Sequence, residues 1–204
     1  MPSIHSKTAI LASTMRDTTG FVNPSAPAGK SQYYAKPERE RRFLLARPPG
    51  GTVEKATCIV DRYLAGTRLR LRQMTETRGS TSRTYYKLTQ KVPAPDGGPG
   101  LLSTIYLNVE EYSVFAALPA AVLRKTRYSV PPFGVDAYEP PLSGLFIAEA
   151  EFDSDAAMNS FSPPSWVVAE VTVDSRFAGG HLVTMQSVDL SALLSSFGLL
   201  PTAS

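Results

Sequence analysis

Along most of the chain, apolar residues recur at every second position. In TRLRLRQ (67–73), Leu69 and Leu71 alternate with Arg68, Arg70 and Arg72; in IAEAEF (147–152), Ala148, Ala150 and Phe152 alternate with Glu149 and Glu151. A period of two is that of a strand with one apolar face. It predicts strands over 37–46, 58–65, 67–74, 84–92, 102–107, 123–130, 134–139 and 145–153, with a further short one at 166–173. Ala65-Gly66-Thr67 makes a tight turn, so the second and third strands should form a hairpin. Three stretches read as helices. NVEEYSVFAAL (108–118) offers Asn108 as N-cap with Glu111 three residues on; SDAAMNSF (154–161) opens on Ser-Asp; VDLSALLSSFG (188–198) is amphipathic and ends at Gly198. Breaker-rich turns lie at 92–100, 129–134 and 139–144. The expected class is mainly β (α+β), with about eight antiparallel strands in a barrel or sandwich and a few peripheral helices.

Residues 1–32 are rich in Ser, Thr, Ala, Pro and Gly and carry no period; they read as a flexible N-terminal extension to one domain spanning 33–204. Cys58 is the only cysteine, and His5 and His181 are the only histidines. That excludes an intrachain disulfide and a cysteine-based zinc site, and argues against a histidine-based metal site or a Ser-His-Asp triad. A bound metal would need carboxylate ligands, which points to Mg²⁺ or Mn²⁺. No stretch approaches the roughly 20 apolar residues of a membrane span, and no basic segment followed by an apolar one opens the chain. The expectation is a soluble cytoplasmic protein with no membrane partner.

Charge is distributed unevenly. Of 21 Lys and Arg, 20 lie in residues 1–130 beside nine acids, a net charge of +11; residues 131–204 hold only Arg176 against nine acids, a net charge of −8. It is also sorted by strand. On one face of 37–46 lie Glu38, Glu40 and Arg42, and on the other Arg39, Arg41 and Phe43. Arg70 aligns with Arg72, Lys87 with Lys91, Lys125 with Arg127, and Glu149 with Glu151. One wet face is ordinary for an antiparallel sheet. Rows of like charge on neighbouring strands are costly, however. Both costs vanish if the shared face binds a polyphosphate through its basic strands and a divalent metal through its acidic ones. In a closed barrel that face would line the bore. Nucleic acid is not expected as a partner, because RNA-binding surfaces combine basic groups with exposed aromatics and these cations point inward.

PERERRFLL (37–45) resembles the opening E-x-E-x-K strand of the CYTH, or triphosphate tunnel metalloenzyme, superfamily. The resemblance continues in order through DRYLAGTRLRLRQ, YKLTQK, TIYLNVEEY, LRKTRY, FGVDAYEPPLSGLFIAEAEF and EVTVDSRFAGG, over roughly residues 35–183. It implies an eight-stranded antiparallel β-barrel whose bore is a tunnel for a triphosphate-containing small molecule, with activity that depends on Mg²⁺ or Mn²⁺. By motif position it implies that Glu38, Glu40, Glu149 and Glu151 are the metal-binding and catalytic carboxylates. It implies phosphate binding by Arg42, Arg70, Arg72, Lys91, Lys125 and Arg127, and Lys87 joins them because it shares the inward parity of Lys91. Asp136 and Glu170 match further acidic positions, with a structural hydrogen-bond role as the alternative. Arg42 stands where the family motif has lysine. It can clamp phosphate but cannot exchange a proton. The implied activity is hydrolysis of a triphosphate, inorganic tripolyphosphate first. A thiamine triphosphatase or adenylate cyclase, and a non-catalytic polyphosphate or nucleotide binder, stay open as alternatives, as does a homodimer.

Overall fold

The computed structural model describes residues 35–48, 53, 55–78, 80–92 and 100–199. The chain divides into two units, Met1–Tyr33 and Tyr34–Ser204, and all described residues belong to the second. The predicted extension 1–32 and most of the predicted loop 92–100 lie outside the described residues.

Ten strands make one sheet: β1 Lys36–Pro37, β2 Glu40–Leu45, β3 Lys55–Leu64, β4 Leu69–Arg78, β5 Thr81–Val92, β6 Leu101–Leu107, β7 Ala120–Val130, β8 Phe133–Tyr138, β9 Phe146–Glu151 and β10 Val167–Glu170. Their order is β1-β6-β5-β4-β3-β7-β8-β9-β2-β10, and the pairings are antiparallel. The eight strands expected from the alternation, β2 to β9, fill the middle. β3 and β4 form the predicted hairpin, with Gly66 taking the left-handed conformation (φ 69°) that the turn requires.

The expected antiparallel barrel takes the form of a curled sheet whose ladder is not closed and whose ends are drawn together by the chain. The predicted strand 37–46 breaks at Glu38–Arg39. Before the break it pairs with β6, and the Glu38 amide donates to the Gly100 carbonyl (2.8 Å); after it the Arg39 carbonyl accepts from the Phe152 amide (2.9 Å) and β2 pairs with β9. β1 and β2 are separated by two residues in the chain, yet β1 ends the strand order on one side and β2 is next to last on the other, so the sheet has to curl.

The strands at 55–64, 69–78, 81–92 and 120–130 run further than the alternation indicates. The β4–β5 extension is polar, and it is held by cross-strand pairs that hydrophobicity does not register: Thr75 with Thr84 (3.2 Å) and Thr77 with Ser82 (3.1 Å).

The three predicted helices form as α1 Val109–Ala116, α2 Asp155–Ser160 and α4 Ser187–Ser195. α1 starts at a reciprocal capping box: Asn108 Oδ1 accepts from the Glu111 amide and Glu111 Oε2 from the Asn108 amide, both 2.8 Å. Tyr112, Phe115 and Ala116 then cover Leu64, Leu71 and Leu88 on the outer face. A 3₁₀ turn at Ser175–Phe177 and the one-turn helix α3 Gly179–Leu182 escape the sequence pattern, being too short to show a period. No described helix is long and apolar enough to cross a membrane.

Both faces of β2 are buried at its C-terminal end. Phe43 and Leu45 pack outward with Phe133, Val135, Ala148 and Ala150. Leu44 packs inward with Leu123, Tyr138 and Ile147 against Phe177, Leu182, Leu190, Leu193 and Leu194 of the C-terminal segment. The inner face is therefore apolar at one end, where α3 and α4 close it, and charged beyond.

Candidate functional site

Cross-strand register assembles the charged layer. Moving around the inner face, Lys87 faces Arg72 across β5–β4, Arg72 faces Asp61 across β4–β3, Arg127 faces Asp136 across β7–β8, and Glu149 faces Arg42 across β9–β2. Glu40 lies directly opposite Glu151. A cavity of about 430 Å³ opens above this layer, with Thr57, Arg127, Gly134, Glu149 and Glu151 in its wall.

Most of the expected phosphate-binding cations have a partner. Asp61, 1% exposed, accepts from Arg72 Nε (2.5 Å) and Nη2 (2.7 Å), with Arg70 Nε at 3.7 Å. Burial alone would raise the Asp61 pKa, but Arg72, with Arg70 and Lys125, holds it down at about 2. Asp136, fully buried, accepts from Arg127 Nε (2.6 Å) and Nη2 (2.7 Å) and pairs with Lys125. Arg127 continues to Glu149. Burial would raise Glu149 as well, yet Arg127, Lys125, Arg72 and Arg42 hold it at about 2.

Two sites keep an excess of one sign. Lys87 is half-buried and has no ion-pair partner among the described residues; burial, Arg72, Arg70 and Arg127 together lower its pKa. Beside it the Arg70 Nε is buried without an acceptor. Glu40 is the opposite case. Burial, then Glu149 and Glu38, push its pKa up to about 7 in spite of Arg42 and Lys91. A cation at Glu40 and an anion at Lys87 would each restore the ordinary charged state. The acids there offer only hard oxygen donors, which suits Mg²⁺ or Mn²⁺. Among the described residues, no three Asp, Glu, His or Cys side chains already converge as a cage. Glu38 is paired with Lys91 and Glu149 with Arg127, while Glu151 is exposed at the mouth.

Arg42 and Glu170 have hydrogen-bond partners away from the acidic cluster. Arg42 Nη1 and Nη2 donate to the carbonyls of Phe177 (2.9 Å) and Thr172 (2.6 Å), and its Nε lies 3.6 Å from Glu40. It ties β2 to the segment that leads into α3 and α4. Glu170 sits on the outer face, where it accepts from Arg41 Nε (3.0 Å) and Nη2 (2.6 Å). Arg39 pairs with Asp155 on the same side (2.6 Å), so the two cations assigned to the exterior are paired there.

Sequence reasoning missed Asp61. Its signal was a lone acid in the apolar strand CIVDRYL, two residues from Ile59 on the inward parity.

No family model matches the chain. Over 151 residues it is 33% identical to the inorganic triphosphatase of Nitrosomonas europaea, covering 69% of this chain and 92% of that protein. Two crystal structures of NE1496 are also similar. One, described as an inorganic triphosphatase, is 26% identical and spans 72% of this chain and 95% of its own, with a TM-score of 0.47. The other, described as a hypothetical protein, is 28% identical and spans 73% and 99%, with a TM-score of 0.48.

Proposed function

The chain belongs to the family of the Nitrosomonas europaea inorganic triphosphatase, and from that premise we propose that it hydrolyses triphosphates, inorganic tripolyphosphate first, on the charged inner face of its curled sheet. We assign the family to the CYTH, or triphosphate tunnel metalloenzyme, superfamily, on the ordered motifs from PERERRFLL to EVTVDSRFAGG.

Lys87 carries this reading. It is a half-buried ammonium surrounded by guanidinium groups, with no ion-pair partner among the described residues and only the Arg72-paired Asp61 to offset them. A polyanion is the ligand that such a cluster stabilises. Phosphoryl transfer needs positioning and charge neutralisation more than covalent help from the protein. Lys87 and Arg70 hold phosphate oxygens directly. Arg72, Arg127 and Lys125 add their field while Asp61 and Asp136 keep them in place; Arg127 also reaches the cavity. Lys91 stands further out with Glu38. Glu38, Glu40, Glu149 and Glu151 are the residues that would hold the divalent ion, Mg²⁺ or Mn²⁺. When bound, that ion supplies Lewis-acid polarisation of the phosphoryl oxygens. Arg42 orients Glu40 and the C-terminal segment. The setting is a cytoplasmic enzyme with a small-molecule substrate.

A phosphate- and pyrophosphate-release screen with tripolyphosphate, thiamine triphosphate and ATP, each with Mg²⁺ and with Mn²⁺, tests the proposal. Tripolyphosphate should give the highest kcat/KM, and Lys87→Ala should raise its KM about tenfold by removing a charge-assisted contact. Cyclic AMP formation from ATP, or an unchanged KM in Lys87→Ala, contradicts the proposal.

A further inference from the structure

Gly134 sits inside β8, where glycine weakens a strand and usually marks a close approach of another group. Its backbone does not call for glycine. Among the described residues the positive-φ glycines are Gly66, Gly144 and Gly198, and Gly134 is not one of them. What requires glycine is the neighbouring side chain. A Cβ on Gly134 would stand 3.1 Å from Arg127 Cδ, 3.4 Å from Nε and 3.6 Å from Cγ. The Arg127 stem lies flat across the bare Gly134 backbone. In that position its guanidinium reaches both Asp136, on the same strand as Gly134, and Glu149, the cross-strand partner of Gly134. Gly134, Arg127 and Glu149 also share the wall of the cavity, so any larger residue at 134 would intrude on that space as well.

We infer that Gly134 is a positioning residue for substrate binding: its missing side chain lets Arg127 lie along the wall between Asp136 and Glu149, with its charge facing the cavity. This rests on the triphosphate reading of the inner face. Chain substitutions that add even one methyl group at 134 displace Arg127 by a few tenths of an ångström or break one of its three carboxylate contacts. Hydroxymethyl and isopropyl groups displace it further.

The test is a double-mutant cycle on tripolyphosphate hydrolysis, with thermal melts to confirm folding. Gly134→Ala should raise KM about fivefold with kcat nearly unchanged, as expected when binding shared by ground and transition states is lost. Gly134→Val should raise it further. In an Arg127→Ala background, Gly134→Ala should change KM by less than about twofold, because the group it displaces is gone. Equal effects in both backgrounds, or no effect of Gly134→Ala alone, overturn the inference. A KM that Arg127→Ala leaves unchanged overturns the triphosphate reading of this wall, and the inference with it. If Arg127→Ala does not fold, the Arg127 Nε–Hε resonance decides. Assigned by its loss in Arg127→Lys, it should move in Gly134→Ala; an unmoved resonance overturns the inference.

Discussion

Asp61→Asn isolates the electrostatics of the inner face. The substitution keeps the shape of the side chain but removes its charge and turns one acceptor into a donor. That donor would face Arg72 Nη2, which now lies 2.7 Å from Asp61 Oδ2, or Nε, which lies 2.5 Å from Oδ1. Neither side chain can swing into water, since Asp61 is 1% and Arg72 6% exposed. Breaking a buried pair by removing one partner costs about 3–5 kcal/mol, because the remaining charge stays buried. For a domain of this size, 1 kcal/mol corresponds to about 2–4 °C in Tm, so a fall of roughly 10 °C is expected. The same change leaves Arg70, Arg72 and Lys87 with less negative charge nearby, so a polyanion should bind the variant more tightly. Melts of both proteins with and without saturating tripolyphosphate, in chelator to prevent turnover, measure the two effects together. The stability deficit should shrink by at least about 1 kcal/mol when tripolyphosphate is bound, equivalent to a fivefold tighter Kd. A deficit below about 1 kcal/mol, or one that tripolyphosphate leaves unaltered, would refute the reasoning.

The wild-type protein should lose stability in acid through the same residue. The Asp61 pKa is about 2, against an ordinary 3.8; a depressed carboxylate stabilises the fold above its unfolded pKa, and about 2 kcal/mol should disappear as pH falls from 3.8 towards 2. Urea titrations across that window should show the loss in the wild type and a flatter profile in Asp61→Asn. Glu40→Gln and Glu151→Gln should each cut metal-stimulated phosphate release by at least about 100-fold; full activity in both would remove these residues from the metal-binding set. Gly179→Ala would place a Cβ 1.9 Å from the Tyr63 hydroxyl, whereas a Cβ on Gly180 meets nothing within 4 Å. Denaturant melts should show a cost of about 1–3 kcal/mol for the first, and Gly180→Ala should fall well short of it.

Much of the inner face was legible because strand parity is a local property. Once 67–74 is a strand, Arg70 and Arg72 must share a side, and Lys87 with Lys91 and Glu149 with Glu151 follow in the same way. The N-cap at Asn108 was legible for the same reason, since both halves of the capping box lie within four residues. Arg42 was expected to bind phosphate because it stands at the lysine position of the family motif. The acceptors it has in the fold, the carbonyls of Thr172 and Phe177, are 130 and 135 positions away. The switch at Glu38–Arg39 was not legible, because alternation continues through it while the pairing partner changes from β6 to β9. Glu170 takes the structural hydrogen-bond role that stood as its alternative. Its pairing with Phe43 sets it on the side of Arg41, facing away from the charged layer.

The sequence by itself determined the antiparallel β class, the sorting of charge to one face of the strands, and the family motifs, because all of these are written at spacings of one to four residues. Tertiary structure alone decided which charges cancel. Register set Asp61 against Arg72 and Asp136 against Arg127, leaving Lys87 as a half-buried ammonium with no ion-pair partner among the described residues and Glu40 as the acid without enough positive charge. It also decided that α3 and α4 close one end of the inner face and that Arg127 lies across Gly134. Coulomb energy depends on separation in space, and separation in space comes from how distant strands pair, which no local spacing encodes.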